Sequence, residues 1–228
     1  RLFPASRRLT RLVRPVLARV SDLPVASGEV FDAVERFHHH LEEVRRLLTD
    51  AERTSVRLVL TPERMSVAEA RRTHTYLSLF GYRVDAVVAN RVLPAGIDDP
   101  WFARWQALHT EHLATIEEGF APLPVLRAHL APDELVGLDA LSAFAQEVYG
   151  DLEPDALLHE GNPLHIERNG DDDGWRLTLE LPFAERGDVD VARRGDELIV
   201  TAGPYRRALI LPDTLRRHTV TGASLREG

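Results

Sequence analysis

The most regular apolar pattern lies between residues 30 and 48, where apolar side chains recur at alternating spacings of four and three. This spacing places them on one stripe of a helix, predicted from about Glu29 to Thr49 with Ser27 as its N-cap. The stripe consists of Val30, Val34, Phe37, Leu41, Val44 and Leu48. It is typical of a core seam, and a groove for a partner is the alternative. A shorter helix is predicted around Arg7–Val20.

Two short apolar runs with a helical pattern between them follow this segment. Val56–Leu60 and Val84–Ala89 are nearly continuous apolar stretches, as buried parallel strands are. Between them, Ser66–Glu69 has the pattern of a capping box, and Gly81 suits a left-handed helix end after Phe80. The sequence therefore predicts a βαβ unit with parallel strands.

The alternation of helix and strand continues to about residue 150. We predict a helix over Trp101–Glu118 and another strand of the same sheet at Leu123–Leu126. A helical turn is predicted to start at Pro132–Glu134, ahead of an amphipathic helix over Leu138–Val148. Gly150–Gly161 is acidic and contains a proline, which is typical of a linker.

After residue 160 the apolar period changes to two, the period of half-buried strands. Turn-forming residues at Asn169–Gly174 and Arg194–Asp196 separate the alternating segments. The alternating apolar groups are Leu164/Ile166, Trp175/Leu177/Leu179/Leu181, Val189/Val191, Leu198/Val200 and Leu209/Leu211. The predicted fold class is therefore an α/β part followed by an all-β antiparallel sandwich without helices.

This change of pattern also predicts the domain organisation. The first domain covers residues 1–153, with a helical subdomain at 1–50 and strands and helices at 54–150. The second domain, the sandwich, covers residues 154–228.

Composition excludes several classes of chemistry. The 228 residues include no cysteine, which excludes disulfides, cysteine-ligated zinc, iron–sulfur clusters and a cysteine nucleophile within this chain. All 28 basic residues are arginine, which excludes a phosphate-binding P-loop lysine and a Schiff-base lysine here. The net charge of −8 argues against nucleic acid as a partner.

Hydropathy gives no sign of a membrane span, because no apolar run approaches the roughly 20 residues needed. The basic N-terminal region is interrupted by Pro4 and Pro15 and lacks the apolar segment of a signal peptide. We therefore expect a cytoplasmic location. Since residue 1 is arginine, we also expect the chain to be a fragment or a processed product.

Histidines and acidic residues form no convincing metal site. Consecutive side chains on a helix fan out by about 100°, so His38–His40 cannot share one ion. His39 and Glu43 have suitable i, i+4 spacing but no third ligand. Asp171–Asp173 is typical of a hairpin turn and lacks the spacing of a calcium loop.

One edge of the predicted parallel sheet is the candidate binding region. In open α/β sheets ligands lie at the carboxyl ends of the strands, where Thr61 and Asn90 are predicted. An asparagine amide has an acceptor and two donors that can pair with an adenine edge. The alternative is that Asn90 only caps a strand and starts a turn.

Three segments of the chain resemble a known family. Residues 57–94 contain a Thr-Pro-Glu turn, a Glu-Ala-Arg-Arg helix and a strand ending Val-Val-Ala-Asn-Arg, and they resemble the late βαβ segment of the ArsA-type ATPases. These are the anion-transporting and tail-anchored-protein-targeting P-loop ATPases. Residues 130–149, with Asp133–Gly137, resemble the family's last loop and helix. Leu181–Phe183, Gly195–Leu198 and Leu211–Pro212 resemble the α-crystallin-like, small heat-shock-like domain fused to many bacterial members.

The resemblance implies a partial P-loop NTPase sheet followed by an immunoglobulin-like sandwich of α-crystallin type. It places the start of the chain just after switch II, so the P-loop, the switch aspartates and the Mg ligands would lie upstream. This chain alone would then hold no catalytic residue. The sandwich would lack one more strand, which implies truncation at both ends.

The same resemblance implies an adenine-binding site. The family reads adenine with the asparagine that corresponds to Asn90. A second wall would come from the loop after the following strand, where His129 stands at the family's frequent proline. The implied adenine-binding residues are Asn90, Arg91, His129, Leu130 and Pro132.

The expected function is that of an ArsA-like ATPase that binds and hydrolyses ATP with Mg. Hydrolysis would drive a conformational switch of a homodimer for transport or targeting, with a possible protein client. No cysteine lies near Asp98–Trp101, so neither a zinc-clasped dimer nor arsenite–thiolate chemistry is expected. The alternative is a non-enzymatic, chaperone-like interaction module built on the sandwich.

Overall fold

The computed structural model describes residues 28–96, 99–169 and 174–226, which fall into two compact units that meet between Arg46 and Leu47. Helix α1 (Gly28–Leu48), all but the last two residues of which belong to the first unit, confirms the predicted helix. Its apolar stripe is 38% to 63% exposed, so it is not buried as a core seam would be. The predicted Ser27 N-cap and the helix around residues 7–20 lie outside the described residues. No helix within the described ranges is long and apolar enough to cross a membrane.

The second unit begins with the predicted parallel sheet. Its elements are β1 (Val56–Leu60), α2 (Arg64–Phe80), β2 (Val84–Val92), α3 (Pro100–Phe120), β3 (Val125–His129) and α4 (Leu138–Tyr149). The strand order is β1-β2-β3, and both pairings are parallel. The α/β fold class is therefore confirmed.

The core of this sheet explains why its strands are almost wholly apolar. Helices cover the sheet, so side chains on both faces of β2 are buried. Leu58, Val87 and Ala89 pack with Ile116 and Phe120 of α3. Asp99 caps α3 by accepting hydrogen bonds from two backbone N–H groups, and Pro100 occupies the first turn.

Two local predictions were wrong. Ser66 does not cap α2, which begins at Arg64 with Glu63 as an N-cap that makes no side-chain hydrogen bond. The Ser66 hydroxyl instead accepts from the backbone N–H of Thr61 at 2.9 Å, because a short hydroxyl side chain readily bonds nearby backbone. Residues 132 and 133 form a bend rather than a helical turn, and α4 starts at Leu138.

The second part of this unit confirms the antiparallel strands. The strands are β4 (Leu164–Arg168), β5 (Trp175–Leu179), β6 (Val189–Arg194), β7 (Glu197–Ala202) and β8 (Tyr205–Ile210). They form a β4-β5 hairpin and a β6-β7-β8 sheet. The expectation of no helix was wrong, since a four-residue helix, α5 (Asp213–Arg216), follows β8. Pro212 precedes it, and Asp213 pairs with Arg216 across its single turn.

Helix α2 packs against the sandwich through an exchange of apolar side chains. Leu79 of α2 is fully buried among Leu181, Val200 and Leu209 of the sandwich. In return, Phe183 packs against the core of the parallel sheet, with φ 64° at its own backbone. The two parts are thus joined by a shared apolar interface.

Polar contacts close the same interface. Arg207 of β8 donates to the carbonyl oxygen of Leu79, and Thr75 donates to that of Pro182. The rings of Tyr76 and Tyr205 lie 3.8 Å apart between centroids. Apolar, polar and aromatic contacts therefore all hold the sandwich against α2.

The segment after α4 is anchored to the sheet. Arg57 pairs with the fully buried Asp85 at 3.4 Å and donates to the carbonyl oxygens of Pro154 and Ala156. Asp85 also accepts from the backbone N–H of Leu158 at 3.2 Å. Burial opposes the charge of Arg57, but hydrogen bonds to Tyr149 and Asp85 outweigh it and raise its pKa. The predicted linker, residues 150–161, is therefore hydrogen-bonded to the parallel sheet near the amino end of β1.

Candidate functional site

The carboxyl ends of β2 and β3 bring the predicted binding residues together. Asn90 is in register with Ala128, and Val92 with His129, so Asn90 and His129 occupy the ends of adjacent strands. The backbone N–H of Leu130 donates to the carbonyl oxygen of Val92 at 2.8 Å and extends this pairing by one residue. This edge is where ligands bind in open α/β sheets.

Asn90 and Arg91 form a constrained pair at the end of β2. The Asn90 side-chain oxygen accepts from the backbone N–H of Arg91 at 2.9 Å. Arg91 has φ 58°, a left-handed conformation that is costly for a residue with a side chain. The amide N–H groups of Asn90 bond to no other described residue, so they are available as donors.

The loop after β2 is held by helix α3. The backbone N–H of Leu93 donates to Nδ1 of His109 at 3.3 Å, and Gln106 donates to the carbonyl oxygen of Pro94 at 2.9 Å. Burial lowers the pKa of His109, an effect that Glu63 opposes and His112 reinforces. A neutral ring is what the acceptor role of Nδ1 requires. Sequence reasoning missed His109 and Gln106, whose partners lie 16 and 12 residues away.

His129 has a partner that sequence reasoning also missed. Its Nδ1 lies 2.8 Å from Oε1 of Glu147 on α4. Leu130 is 40% exposed, and Pro132 lies exposed in the loop that follows β3. At this edge of the sheet, the His129 ring therefore contacts Glu147, and the loop beside it is largely exposed.

Two side chains at this edge carry groups that could contact a ligand. Asn90 offers amide donors, and His129 offers a ring. The chain contains no lysine and no glycine-rich P-loop motif to hold a triphosphate. Within the described ranges, no three His, Asp or Glu side chains are placed to hold a metal ion.

Comparison with family models identifies both parts of the chain. Residues 1–150 match the model of the anion-transporting ATPases. Residues 172–228 match the model of the HSP20-like domain found in ArsA. The two matches cover the parallel sheet and most of the sandwich.

Comparison with curated proteins gives relatives of similar organisation. A putative arsenical pump-driving ATPase of Chlorobaculum tepidum is 36% identical over 90% of this chain and 51% of its own length. One from Aquifex aeolicus is 31% identical over 95% of this chain and 55% of its own length. An uncharacterized Streptomyces coelicolor protein is 39% identical over 100% of this chain and 56% of its own length. The chain thus spans about half the length of the relatives it matches.

Proposed function

The chain belongs to the anion-transporting ATPase family, and from that membership we propose that it supplies the adenine-binding edge of an ATP-hydrolysing protein. The observation that carries this proposal is the placement of Asn90 and His129 at adjacent strand ends. An asparagine amide and an aromatic ring are the two kinds of group that recognise a base by its edge and by its face.

We assign a role in base binding to the residues at this edge. The amide of Asn90 pairs with the edge of adenine, and the hydrogen bond from Arg91 fixes the orientation of that amide. The ring of His129 and the side chains of Leu130 and Pro132 form the wall against which the base rests. Arg91 has a left-handed backbone, and it lies where the register between β2 and β3 shifts.

The phosphates and Mg are held by residues outside this chain, because it contains neither a lysine nor a P-loop motif. The bound Mg–ATP supplies the phosphoanhydride bond whose hydrolysis releases the free energy for a conformational change. We propose that this change is the switching of a homodimer during transport or targeting. On this account the present chain by itself is inactive.

A second candidate function belongs to the sandwich. A cavity of about 740 Å³ opens between its two sheets, with Trp175, Leu177, Val191 and Leu198 among its apolar lining residues. This cavity favours the chaperone-like, protein-binding alternative. The extensive contact with α2 argues that such a role would be performed as part of the ATPase and not by a separate module.

Nucleotide titration of the full-length protein tests the first proposal. We expect ATP and ADP to bind more tightly than GTP and GDP in calorimetry. Asn90→Asp replaces the amide donors with a carboxylate, so ATP should bind about tenfold or more weakly, the loss of a good base contact.

Arg127→Gln provides the control, since Arg127 lies on β3 but pairs with Glu117 of α3. Its affinity for ATP should equal that of the unaltered protein. A folded full-length protein that binds no nucleotide would overturn the ATPase proposal and favour the sandwich as the functional element. Equal affinity of Asn90→Asp for ATP would overturn the role of Asn90 alone.

A further inference from the structure

The cavity of about 740 Å³ in the sandwich lies between the β4-β5 hairpin and the β6-β7-β8 sheet. Side chains along a strand alternate between its two faces, and the residues that line the cavity follow that alternation. On two of the strands they are Trp175, Leu177 and Leu179 of β5 and Val189, Val191 and Arg193 of β6. The inner faces of both sheets therefore form its walls.

The chain after α5 forms a third wall, because residues 218–225 also line the cavity. Arg193 holds the start of this segment. Its guanidinium donates to the carbonyl oxygen of Arg216 at 2.8 Å and to that of His218. Sites for small molecules in proteins measure about 300–1,000 Å³ and have mostly apolar walls with a few polar groups. The volume and the lining of this cavity are of that kind.

The charged side chains on the cavity wall are arginines. Arg186 and Arg193 line it, and no aspartate or glutamate of the described residues does. This contrasts with the whole chain, whose net charge is −8. Arg193 donates to backbone carbonyls, whereas Arg186 is exposed and has no hydrogen-bond or ion-pair partner among the residues that the structure describes. A cationic group is therefore available at the opening of the cavity.

We propose that this cavity binds a fatty acid, with the alkyl chain between the two sheets and the carboxylate at Arg186. Removal of methylene groups from water drives the binding of the chain, and the forked guanidinium pairs with the carboxylate. The apolar walls match the chain, and the available cation matches an anionic head. This site is separate from the proposed base-binding edge and does not depend on it.

Calorimetry on the full-length protein with decanoate and dodecanoate, each below its critical micelle concentration, tests this site. Each buried methylene should raise the affinity by about threefold to fourfold, so dodecanoate should bind about tenfold more tightly than decanoate. Dodecyltrimethylammonium has a chain of the same length with a cationic head. It should bind more weakly than dodecanoate by about fivefold or more. Equal affinities for the two dodecyl compounds would overturn the proposal.

Two arginine variants test the place of the carboxylate. Arg186→Gln removes the cation at the opening, so dodecanoate should bind about fivefold more weakly, the size expected for an exposed charged pair. Arg194→Gln is the matched control, since Arg194 is also exposed but does not line the cavity. It follows Arg193 on β6 and therefore lies on the other face of the strand. Equal losses in the two variants would overturn the assignment to Arg186.

Val191→Trp tests the place of the alkyl chain. Val191 lines the cavity and is 41% exposed, so a larger side chain can enter the space between the sheets without displacing a packed neighbour. The ring takes the place of several methylenes, so dodecanoate should bind more weakly by about tenfold or more. Thermal unfolding checks that the variant is folded. Undiminished binding to the folded variant would overturn the proposal.

The remaining outcomes concern the unaltered full-length protein. Failure to bind dodecanoate would overturn the proposal. If the same protein then prevented the aggregation of an unfolded protein, the chaperone-like alternative would be favoured, with an apolar protein segment as the occupant of the cavity. Titration of the same sample with ATP reports separately on the proposed function, because the two sites share no residue.

Discussion

His74 shows how the surroundings of a single residue set its charge. Its ring stacks on Phe120 at 5.9 Å and meets Phe183 edge-on at 6.0 Å, between centroids. Its Nδ1 is buried without a hydrogen-bond partner among the described residues. Burial, together with a smaller effect of the charge of His159, lowers the pKa of His74 to about 4. The residue is therefore neutral at the interface with the sandwich.

Acid should weaken the fold through His74. The unfolded chain binds a proton near the ordinary histidine pKa of 6.5, whereas the folded chain binds it only near 4. The free energy of unfolding should therefore fall as the pH drops from 6.5 to 4, by up to about 3 kcal/mol, and this loss should level off below pH 4. Urea unfolding at several pH values measures it.

His74→Phe keeps an aromatic ring between Phe120 and Phe183 and removes the titrating group. The unfolding free energy of this variant should therefore fall less between pH 6.5 and pH 4 than that of the unaltered protein. If the variant and the unaltered protein had the same slope between pH 6.5 and 4, another group would be responsible for the acid sensitivity.

Residues whose role depends on distant partners could not be predicted from the sequence. Asp85 is completely buried in a strand that the apolar pattern presents as ordinary. Its partner Arg57 lies 28 residues away in the sequence, so the pattern does not reveal that the two side chains pair. Glu147 is one of many acidic residues on a helix until the fold places it beside His129. In contrast, the position of Asn90 near the carboxyl end of a strand follows from local sequence, and its role in binding stays a prediction.

At the scale of elements, the end of α2 connects the parallel sheet to the sandwich. Gly81 has φ 84°, and a Cβ atom there would lie 3.1 Å from the guanidinium nitrogens of Arg207. Gly81→Ala should therefore cost about 1–2 kcal/mol of stability, from backbone strain and from displacement of Arg207. Thermal or denaturant unfolding measures this cost.

Gly96→Ala is the matched control for that substitution. Gly96 has φ 86°, but a Cβ atom there would have no neighbour within 4 Å among the residues that the structure describes. Gly96→Ala should therefore lower the free energy of unfolding only through backbone strain, by about 1 kcal/mol. Equal losses in the two variants would show that the contact with Arg207 contributes nothing to the stability of the interface.

Elements with a strong period were predictable, and their ends were not. Alternation of period two identified β4 to β8, and in β5 the apolar Trp175, Leu177 and Leu179 are the less exposed side chains. The capping box at Ser66 failed because its hydroxyl bonds Thr61, a competing local contact that the motif does not reveal. The short helix after β8 was missed because one turn carries no periodicity.

At the scale of the whole molecule, the sandwich and the parallel sheet share buried side chains. Leu79 lies in the core of the sandwich, and Phe183 packs on the core of the sheet. The sequence predicted two folds in order but could not predict this interface, which depends on tertiary packing. The division between residues 153 and 154 stays a prediction, as does the assembly of the full-length protein into a dimer.

We propose that an adenine base binds where β2 and β3 end. The decisive experiment is a structure of the full-length protein with ADP bound. We predict the base between Asn90 and His129, with the Asn90 amide within hydrogen-bonding distance of its edge. A base held elsewhere, with Asn90 and His129 facing solvent, would contradict the account.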